Sequence, residues 1–107
     1  MREPPLGEPE VLGALAGPDG PDWHLIGGKL VKTVVCPSFV GALDFVGRVG
    51  ARAEAVDHHP DIDIRYNRVT LSLMTHDSDG ITVRDLDLAR AIDGLSTEDL
   101  SSGPLPD

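Results

Sequence analysis

The apolar residues between positions 61 and 73 change parity halfway along the segment, and this change constrains the fold more than any other feature of the sequence. They stand at even positions before residue 65 and at odd positions after residue 68: Ile62, Ile64, Val69, Leu71 and Leu73. Because side chains alternate between the faces of a strand, one continuous strand would put the two sets on opposite faces. A tight turn or bulge near 66–68 returns both sets to one side. The segment therefore predicts two strands, about 61–65 and 69–75, that share one core.

The first half of the chain carries a hairpin pattern followed by a helical pattern. A stretch that begins at Trp23 is interrupted by Gly27-Gly28 and continues as a β-rich run over 29–35, which is typical of two paired strands. Ser38 is the predicted N-cap of a helix within residues 37–56. The apolar stripe of this helix has the helical period: Phe39, Leu43 and Val46, widened by Ala42, Val49 and Ala53.

The two ends of the chain and one internal segment lack regular patterns. Residues 1–9 carry three prolines and are expected to be disordered or weakly ordered. A short helix is predicted over Glu10–Ala16, where Gly17-Pro18 stops it, and residues 17–22 are typical of a turn. The tail from Ser96 is expected to be frayed.

A final helix is predicted after the second pair of strands. Thr82 and, three residues later, Asp85 form a capping-box-like start, and Gly94 marks the expected end. The apolar residues of this helix are spaced by four and by three: Leu88, Ile92 and Leu95. The predicted order is α-β-β-α-β-β-α, an α+β fold with helices on one face of a four-stranded antiparallel sheet. The chain, 1–107, is expected to be a single domain with an ordered core of about residues 10–95.

Composition narrows the function classes. The chain has 9 basic and 18 acidic residues and a formal net charge of −9, which disfavours nucleic acids and anionic membranes as partners. Cys36 is the one cysteine, so an internal disulfide is excluded and a buried, apolar role is expected. No apolar run approaches the roughly 18 residues of a membrane span, and residues 1–10 lack a signal-peptide core. We expect a cytoplasmic protein.

Three of the four histidines, His58, His59 and His76, stand between the long helix and the final helix. A metal site is disfavoured because adjacent side chains in extended backbone point apart, and no second cysteine or HExxH pair completes a ligand set. A purely structural role fits each histidine singly, since Pro60 pushes its predecessor out of helical conformation and so favours a helix-to-strand junction.

An acid–base site is the third interpretation of these histidines. Imidazole titrates near neutral pH and is the usual proton carrier in enzymes. His58 follows the long helix and His76 follows the last strand, so both could face one pocket if these two ends meet. Asp85, in the first turn of the final helix, could line the same pocket. As a helix-start carboxylate alone it would contribute on the order of 0.5–1 kcal/mol to stability.

The spacing of these residues resembles the signature of the pterin-4a-carbinolamine dehydratases. The matching positions run in order through the second half of the chain: Glu54, His58-His59-Pro60, Tyr66, His76 and Asp85. The resemblance extends to the order of the elements and covers roughly residues 10 to 95. It implies an α+β fold, association into homodimers or homotetramers, and dehydration of 4a-hydroxytetrahydropterin to quinonoid dihydropterin in the recycling of the hydroxylase cofactor. It implies no metal and no other cofactor.

The resemblance also implies roles for particular residues. The catalytic set carried over by position is His58, His59 and His76, with Asp85. The positions that would contact the pterin substrate are Asp57, Met74, Thr75 and Asp77. The alternative is a non-catalytic binding protein of the same family, of the Rubisco-assembly or transcriptional-coactivator type. The intact histidine set favours the enzyme.

Exposed sheet edges favour association with copies of the same chain. We expect the runs 29–35 and 69–75 to be the outer strands, and neither contains a proline that would blunt pairing. Pairing of such edges between subunits would build a homo-oligomer whose interface is separate from the active site.

Overall fold

The computed structural model describes residues 4–17 and 23–102, with side chains described as far as residue 95. The elements follow the predicted order: α1 (Glu8–Ala16), β1 (His24–Ile26), β2 (Lys29–Val35), α2 (Phe39–Val56), β3 (Asp61–Arg65), β4 (Arg68–Leu73), a 3₁₀ turn (His76–Ser78) and α3 (Val83–Ser102). The strands form one antiparallel sheet, and the α+β class predicted from the sequence is confirmed.

The strand order in the sheet is β1-β2-β4-β3, so the two hairpins lie side by side through their second strands. The expectation that 29–35 and 69–75 are outer strands is therefore wrong. They pair with each other over six residues, from Leu30 opposite Leu73 to Val35 opposite Arg68. A central strand is buried and is paired on both sides. The alternating apolar residues of β2 and β4 suit this central position. The edges are the three-residue β1 and the charged β3.

The parity change near residue 66 is a two-residue turn. Arg65 pairs with Arg68 across Tyr66-Asn67, and the register places Ile64 opposite Val69 and Ile62 opposite Leu71. Paired residues point to the same face, so both apolar sets share one side of the sheet as predicted. Ile62 remains 39% exposed because β3 is an edge strand.

Gly27 and Gly28 make the turn of the first hairpin, where Ile26 pairs with Lys29. Both glycines have positive φ angles, 58° and 77°, which residues with a Cβ atom adopt only at a cost. This turn was visible in the sequence because it depends on two adjacent residues.

Helix α2 begins where predicted, with the Ser38 hydroxyl accepting a hydrogen bond from the Gly41 amide. Its predicted stripe is wrong in part, since Phe39 and Leu43 are 46% and 48% exposed. The buried face contains Ala42, Val49 and Ala53, which the predicted stripe included, and Phe45, which it did not; Val46 packs against the core as predicted. Stripes that contain Phe39 or Phe45 both have the helical period, and only the packing of α2 in the fold selects between them.

Helix α3 buries Leu88 and Ile92 as predicted, with Leu95 packed against the core. It does not stop at Gly94 but continues to Ser102, so the predicted end is wrong and residues 96–102 belong to the helix. The predicted start of α1 is also corrected, from Glu10 to Glu8. Residues 1–3, the turn residues 18–22 and the tail residues 103–107 lie outside the described residues.

The core lies between the helices and one face of the sheet. Its largest fully buried side chains come from both layers: Phe45, Leu30, Leu71, Leu73 and Ile92. Cys36 is buried as expected, and burial raises the pKa of its thiol. Within residues 4–17 and 23–102, no helix has the length and apolar character needed to cross a membrane.

Replacing Gly47 by alanine should stabilise the protein by about 0.5–1 kcal/mol, because alanine has the higher helix propensity. Gly47 lies inside α2, and a Cβ atom there would meet no atom within 4 Å. The control is Gly28→Ala in the first hairpin turn, where the positive φ should make the substitution cost about 1–2 kcal/mol. Urea unfolding of both variants measures these changes, and a destabilised Gly47→Ala would mean that this face of α2 is covered.

Candidate active site

Helix α2 ends in a left-handed residue that turns the chain toward the sheet. Asp57 has φ 52° and ψ 46°, and its amide donates to the carbonyls of Ala53 and Glu54. The amide of the next residue, His58, also donates to Ala53 at 3.0 Å. Such a cap satisfies the last helix carbonyls and reverses the chain, and aspartate tolerates this conformation better than most residues. As a result His58 lies inside the protein, 7% exposed, while His59 lies at the surface.

The ring of His58 is held by a buried carboxylate. Its Nε2 atom is hydrogen-bonded to Oδ1 of Asp85, which lies in the first turn of α3 and is fully buried. The other oxygen, Oδ2, accepts from the backbone amide of Thr82 at 2.9 Å and from the hydroxyl of Thr75 at 2.8 Å. Asp85 therefore caps α3, as its spacing from Thr82 predicted, and in addition joins the end of α2 to the end of β4.

The hydrogen-bond directions around Asp85 follow from its chemistry. An ionised carboxylate only accepts, so the Thr75 hydroxyl donates to it, and Thr75 can in turn accept from the Thr82 hydroxyl 2.8 Å away. The Thr82 hydroxyl accepts from the Arg84 amide at 3.2 Å. By the same reasoning Nε2 of His58 carries the hydrogen toward Oδ1. In the neutral ring, Nδ1 is then the atom with a free lone pair.

The other two histidines are exposed, and each is placed by a local contact. Nε2 of His59 lies 3.0 Å from Oε2 of Glu54, five residues earlier in the last turn of α2. His76 opens the 3₁₀ turn that follows β4. This turn is closed by the bridge between Thr75 and Gly80, with the Thr75 amide donating to the Gly80 carbonyl at 2.8 Å. The loop that carries His76 is thus tied at its base.

These ends of α2, β4 and α3 surround one cavity of about 210 Å³. All three histidines line it, and the remaining lining residues are Asp57, Met74, Thr75, Asp77 and Arg84. Seven of the eight residues singled out from the sequence therefore meet at one place. The eighth, Asp85, is not in the cavity wall but behind His58, with no exposed surface.

Arg84 is the cavity residue that the sequence reasoning missed. A weak signal was present, because a cation in the first turn of a helix faces the positive end of the helix dipole and needs another partner. Here the partner is α2: Nη2 of Arg84 donates to the carbonyls of Asp57 at 2.7 Å and of Val56 at 3.3 Å.

A metal-binding arrangement is absent from the described part of the chain. Across residues 4–17 and 23–95, no three or more His, Cys, Asp or Glu side chains are grouped so that they could hold an ion. The titratable groups of the cavity are instead arranged around open space, which suits proton transfer to and from a ligand.

The fold and the site together define a class of protein. It is an α+β domain in which three histidines line one cavity at the ends of the helices and strands. Residues 4–95 match the family model described as "Pterin 4 alpha carbinolamine dehydratase". A relative from Chloroflexus aurantiacus, provisionally named a pterin-4-alpha-carbinolamine dehydratase, is 50% identical over 92 residues, which cover 86% of this chain and 97% of the relative. A relative from Nocardia farcinica with the same provisional name is 49% identical over 91 residues, covering 85% and 94%.

Two solved structures have the same fold. The crystal structure of the transcriptional coactivator/pterin dehydratase from Brucella melitensis aligns with TM-score 0.78 and 31% identity, over 86% of this chain and 98% of that one. A pterin dehydratase-like protein described as a RuBisCO assembly factor in the alpha-carboxysome aligns with TM-score 0.60 and 21% identity, over 69% of this chain and 88% of that one. The second likeness shows the fold alone. The chain belongs to the pterin 4 alpha carbinolamine dehydratase family and is an enzyme of the hydro-lyase class.

Replacing Asp85 by asparagine should reverse the tautomer of His58. The carboxamide oxygen can still accept from Thr82 and Thr75, and its NH₂ group then faces Nε2 of His58, which must become the acceptor. The ring hydrogen would move to Nδ1. Nitrogen-detected NMR of the histidine rings measures this change directly, and His59, which pairs with Glu54 instead, is the internal control.

The same variant should cost about 1–3 kcal/mol of stability, because hydrogen bonds to a charged group are replaced by neutral ones. This is more than the cap alone would contribute. An unchanged His58 spectrum in a folded Asp85→Asn protein would contradict the assigned orientation.

Proposed function

We propose that the protein dehydrates 4a-hydroxytetrahydropterin to quinonoid dihydropterin by histidine acid–base catalysis, in the recycling of tetrahydropterin. The observation that supports this most directly is the convergence of His58, His59 and His76 on one cavity, with a buried carboxylate behind the first of them. The family membership supports the same class of reaction.

The reaction needs one acid and one base and no covalent intermediate. The C4a–O bond breaks as the departing oxygen takes a proton and leaves as water. The lone pair of N5 forms the C4a=N5 double bond, and the proton on N5 is then removed. Positioned acid and base groups accelerate such proton transfers by roughly 10²–10⁴-fold.

His58 is suited to the role of the base. Its Nε2–H is directed to Asp85, which leaves Nδ1 free to accept a proton. The carboxylate also stabilises the imidazolium that forms when Nδ1 takes the proton, as in other carboxylate–histidine pairs. Because Asp85 is buried and held by Thr75 and Thr82, the ring is oriented before the substrate arrives.

His76 and His59 are suited to the role of the acid that protonates the departing hydroxyl. Both are solvent-exposed, so either can regain a proton from water between turnovers. Nε2 of His59 lies 3.0 Å from the Glu54 carboxylate. We assign the acid to His76 first, because it lines the same cavity as His58 from a different element, the 3₁₀ turn after β4.

The remaining cavity residues are proposed to hold the pterin. The ring system carries N–H donors on its pyrimidine side, and the carboxylates of Asp57 and Asp77 are acceptors that line the cavity. The Thr75 hydroxyl is engaged with Asp85, so its contact with the substrate would come from its backbone or methyl group. Met74 provides an apolar, polarisable surface for a flat ring.

The direct test is a stopped-flow assay of 4a-hydroxytetrahydropterin dehydration with the purified protein. Acceleration over the uncatalysed loss of water is expected. A protein that binds a pterin but leaves the rate unchanged would favour a non-catalytic family member instead, of the Rubisco-assembly or coactivator type.

Replacing His58 or His76 by alanine should slow dehydration at least about tenfold each, with a larger loss in the double variant, because each supplies one proton transfer. His24→Ala is the matched control, since this fourth histidine lies on β1, outside the cavity. Circular dichroism checks that all variants are folded.

Rates like the wild type in both single variants would remove the acid–base assignment. Treatment with a chelator should leave the rate of the wild type unchanged. A loss that zinc restores would instead indicate a metal-dependent enzyme.

We also propose that the protein is a homodimer or homotetramer that associates through sheet edges away from the cavity. Each of the edge strands β1 and β3 has one side without a neighbouring strand, where the backbone of another subunit could pair. Separately, apolar side chains on α2 such as Val40 are about half exposed. With a net charge of −9, the subunits repel each other at low salt.

Moderate salt should therefore strengthen the assembly by screening this repulsion. Light scattering at micromolar concentration, at low and at moderate salt, measures the mass. A monomer at both salts would remove this proposal without affecting the catalytic one, because no residue of the proposed catalytic set lies on β1 or β3.

A further inference from the structure

Arg84 occupies a position that its own helix disfavours. It is the second residue of α3, where the positive end of the helix dipole repels a cation. The C-terminal end of α2, which is the negative end of that helix dipole, stabilises the guanidinium. Nη2 donates to the Asp57 and Val56 carbonyls there. The guanidinium is thereby fixed at the place where the chain turns into His58.

Most of the guanidinium donors are not used by the protein. A guanidinium has five N–H groups, and the two carbonyls engage only Nη2. Among residues 4–17 and 23–95, neither Nε nor Nη1 of Arg84 has a hydrogen-bond or ion-pair partner. These donors belong to a half-buried side chain that lines the active-site cavity.

Arg84 also lines a second cavity, of about 220 Å³, between α2 and α3. His58 is the other residue that lines both cavities, so the two side chains form the partition between them. A side chain held in such a partition by backbone carbonyls has little freedom to move away from a ligand, which lowers the entropy cost of using it for binding.

We propose that Arg84 is a substrate-binding residue, whose Nη2 is anchored on α2 while the free Nη1 donates to an oxygen acceptor of the ligand. This rests on the proposed function, under which the acceptor is the carbonyl oxygen of the pterin ring next to C4a. The N–H groups of Nη1 lie in the plane of the guanidinium and can meet such an acceptor at the edge of a flat ring while Nη2 stays on α2, whereas a lysine offers one ammonium for both tasks.

The chemistry of the reaction predicts which kinetic parameter the loss of Arg84 changes. Positive charge develops at N5 as its lone pair expels the hydroxyl, and a neighbouring cation does not stabilise that change. Arg84 therefore contributes to holding the substrate rather than to breaking the bond, and its removal should raise KM and leave kcat within a few-fold.

The experiment measures KM, kcat and the Kd of a stable oxidised pterin for Arg84→Met and Arg84→Lys. We expect Kd and KM to rise about ten- to a hundredfold in Arg84→Met, the usual range for a hydrogen bond to a charged donor. Arg84→Lys should remain impaired, because one ammonium cannot cap α2 and bind the ligand together. Arg90→Met removes the same charge from an exposed position of the same helix and should leave Kd within about twofold.

A further readout separates binding from mere support of the fold. In Arg84→Ala, millimolar guanidinium should restore pterin affinity, and methylammonium at equal concentration should not. If Arg84→Met fails to fold, Arg84→Lys and the rescue of Arg84→Ala decide the question.

Two failures are distinguishable. A wild-type protein that neither binds nor dehydrates the pterin would remove the proposed function and this inference with it. A wild-type protein that does both, with unchanged Kd in the folded Arg84 variants, or a loss that guanidinium does not restore, would overturn only the role of Arg84.

Discussion

The buried carboxylate of Asp85 must be surrounded by hydrogen-bond donors, and the rest of the site depends on how the chain supplies them. Its three donors come from three places: the His58 ring after α2, the Thr75 hydroxyl after β4 and the Thr82 amide before α3. Leaving any of them out would cost the desolvation of a buried charge without compensation. One interaction therefore caps a helix, fixes the orientation of an imidazole and joins the two walls of the cavity.

The sheet makes this convergence possible. The central pairing of β2 with β4 anchors the strand that leads into Thr75, and β3 follows directly from the turn after α2. Helix α3 is held over the sheet by a second polar contact, in which Oδ1 of Asp93 accepts from Trp23 at 2.8 Å and from Lys32 at 2.7 Å. These contacts tie the ends of α2, β4 and α3 to one another where the cavity forms, as the proposed proton transfers would require.

The two proposals assign different work to the two residues that separate the cavities. His58 is oriented by a carboxylate behind it and offers a free nitrogen, whereas Arg84 is anchored by helix carbonyls and offers free donors. In both cases one side of the group is satisfied by the protein and the other is left for a ligand. This division is characteristic of preorganised sites, because the orienting contacts are formed during folding rather than on binding.

Features that depend on neighbouring residues were determined by the sequence alone. The caps at Ser38 and Thr82, the Gly27-Gly28 turn and the parity change at residue 66 each involve groups only a few positions apart, and the structure confirms them. The family signature likewise identified the histidines that meet at the cavity.

Features that depend on distant residues were decided only by the tertiary structure. Two stripes of α2 have the same helical period, and the packing of α2 in the fold selected Phe45 rather than Phe39 for burial. The central position of β2 and β4 depends on how the two hairpins pack side by side. The anchoring of the Arg84 guanidinium depends on the end of α2, 27 residues away in the chain. Local patterns specify which elements form, but burial and the pairing of polar groups across the fold are settled by packing, since their energies depend on partners that the local sequence does not contain.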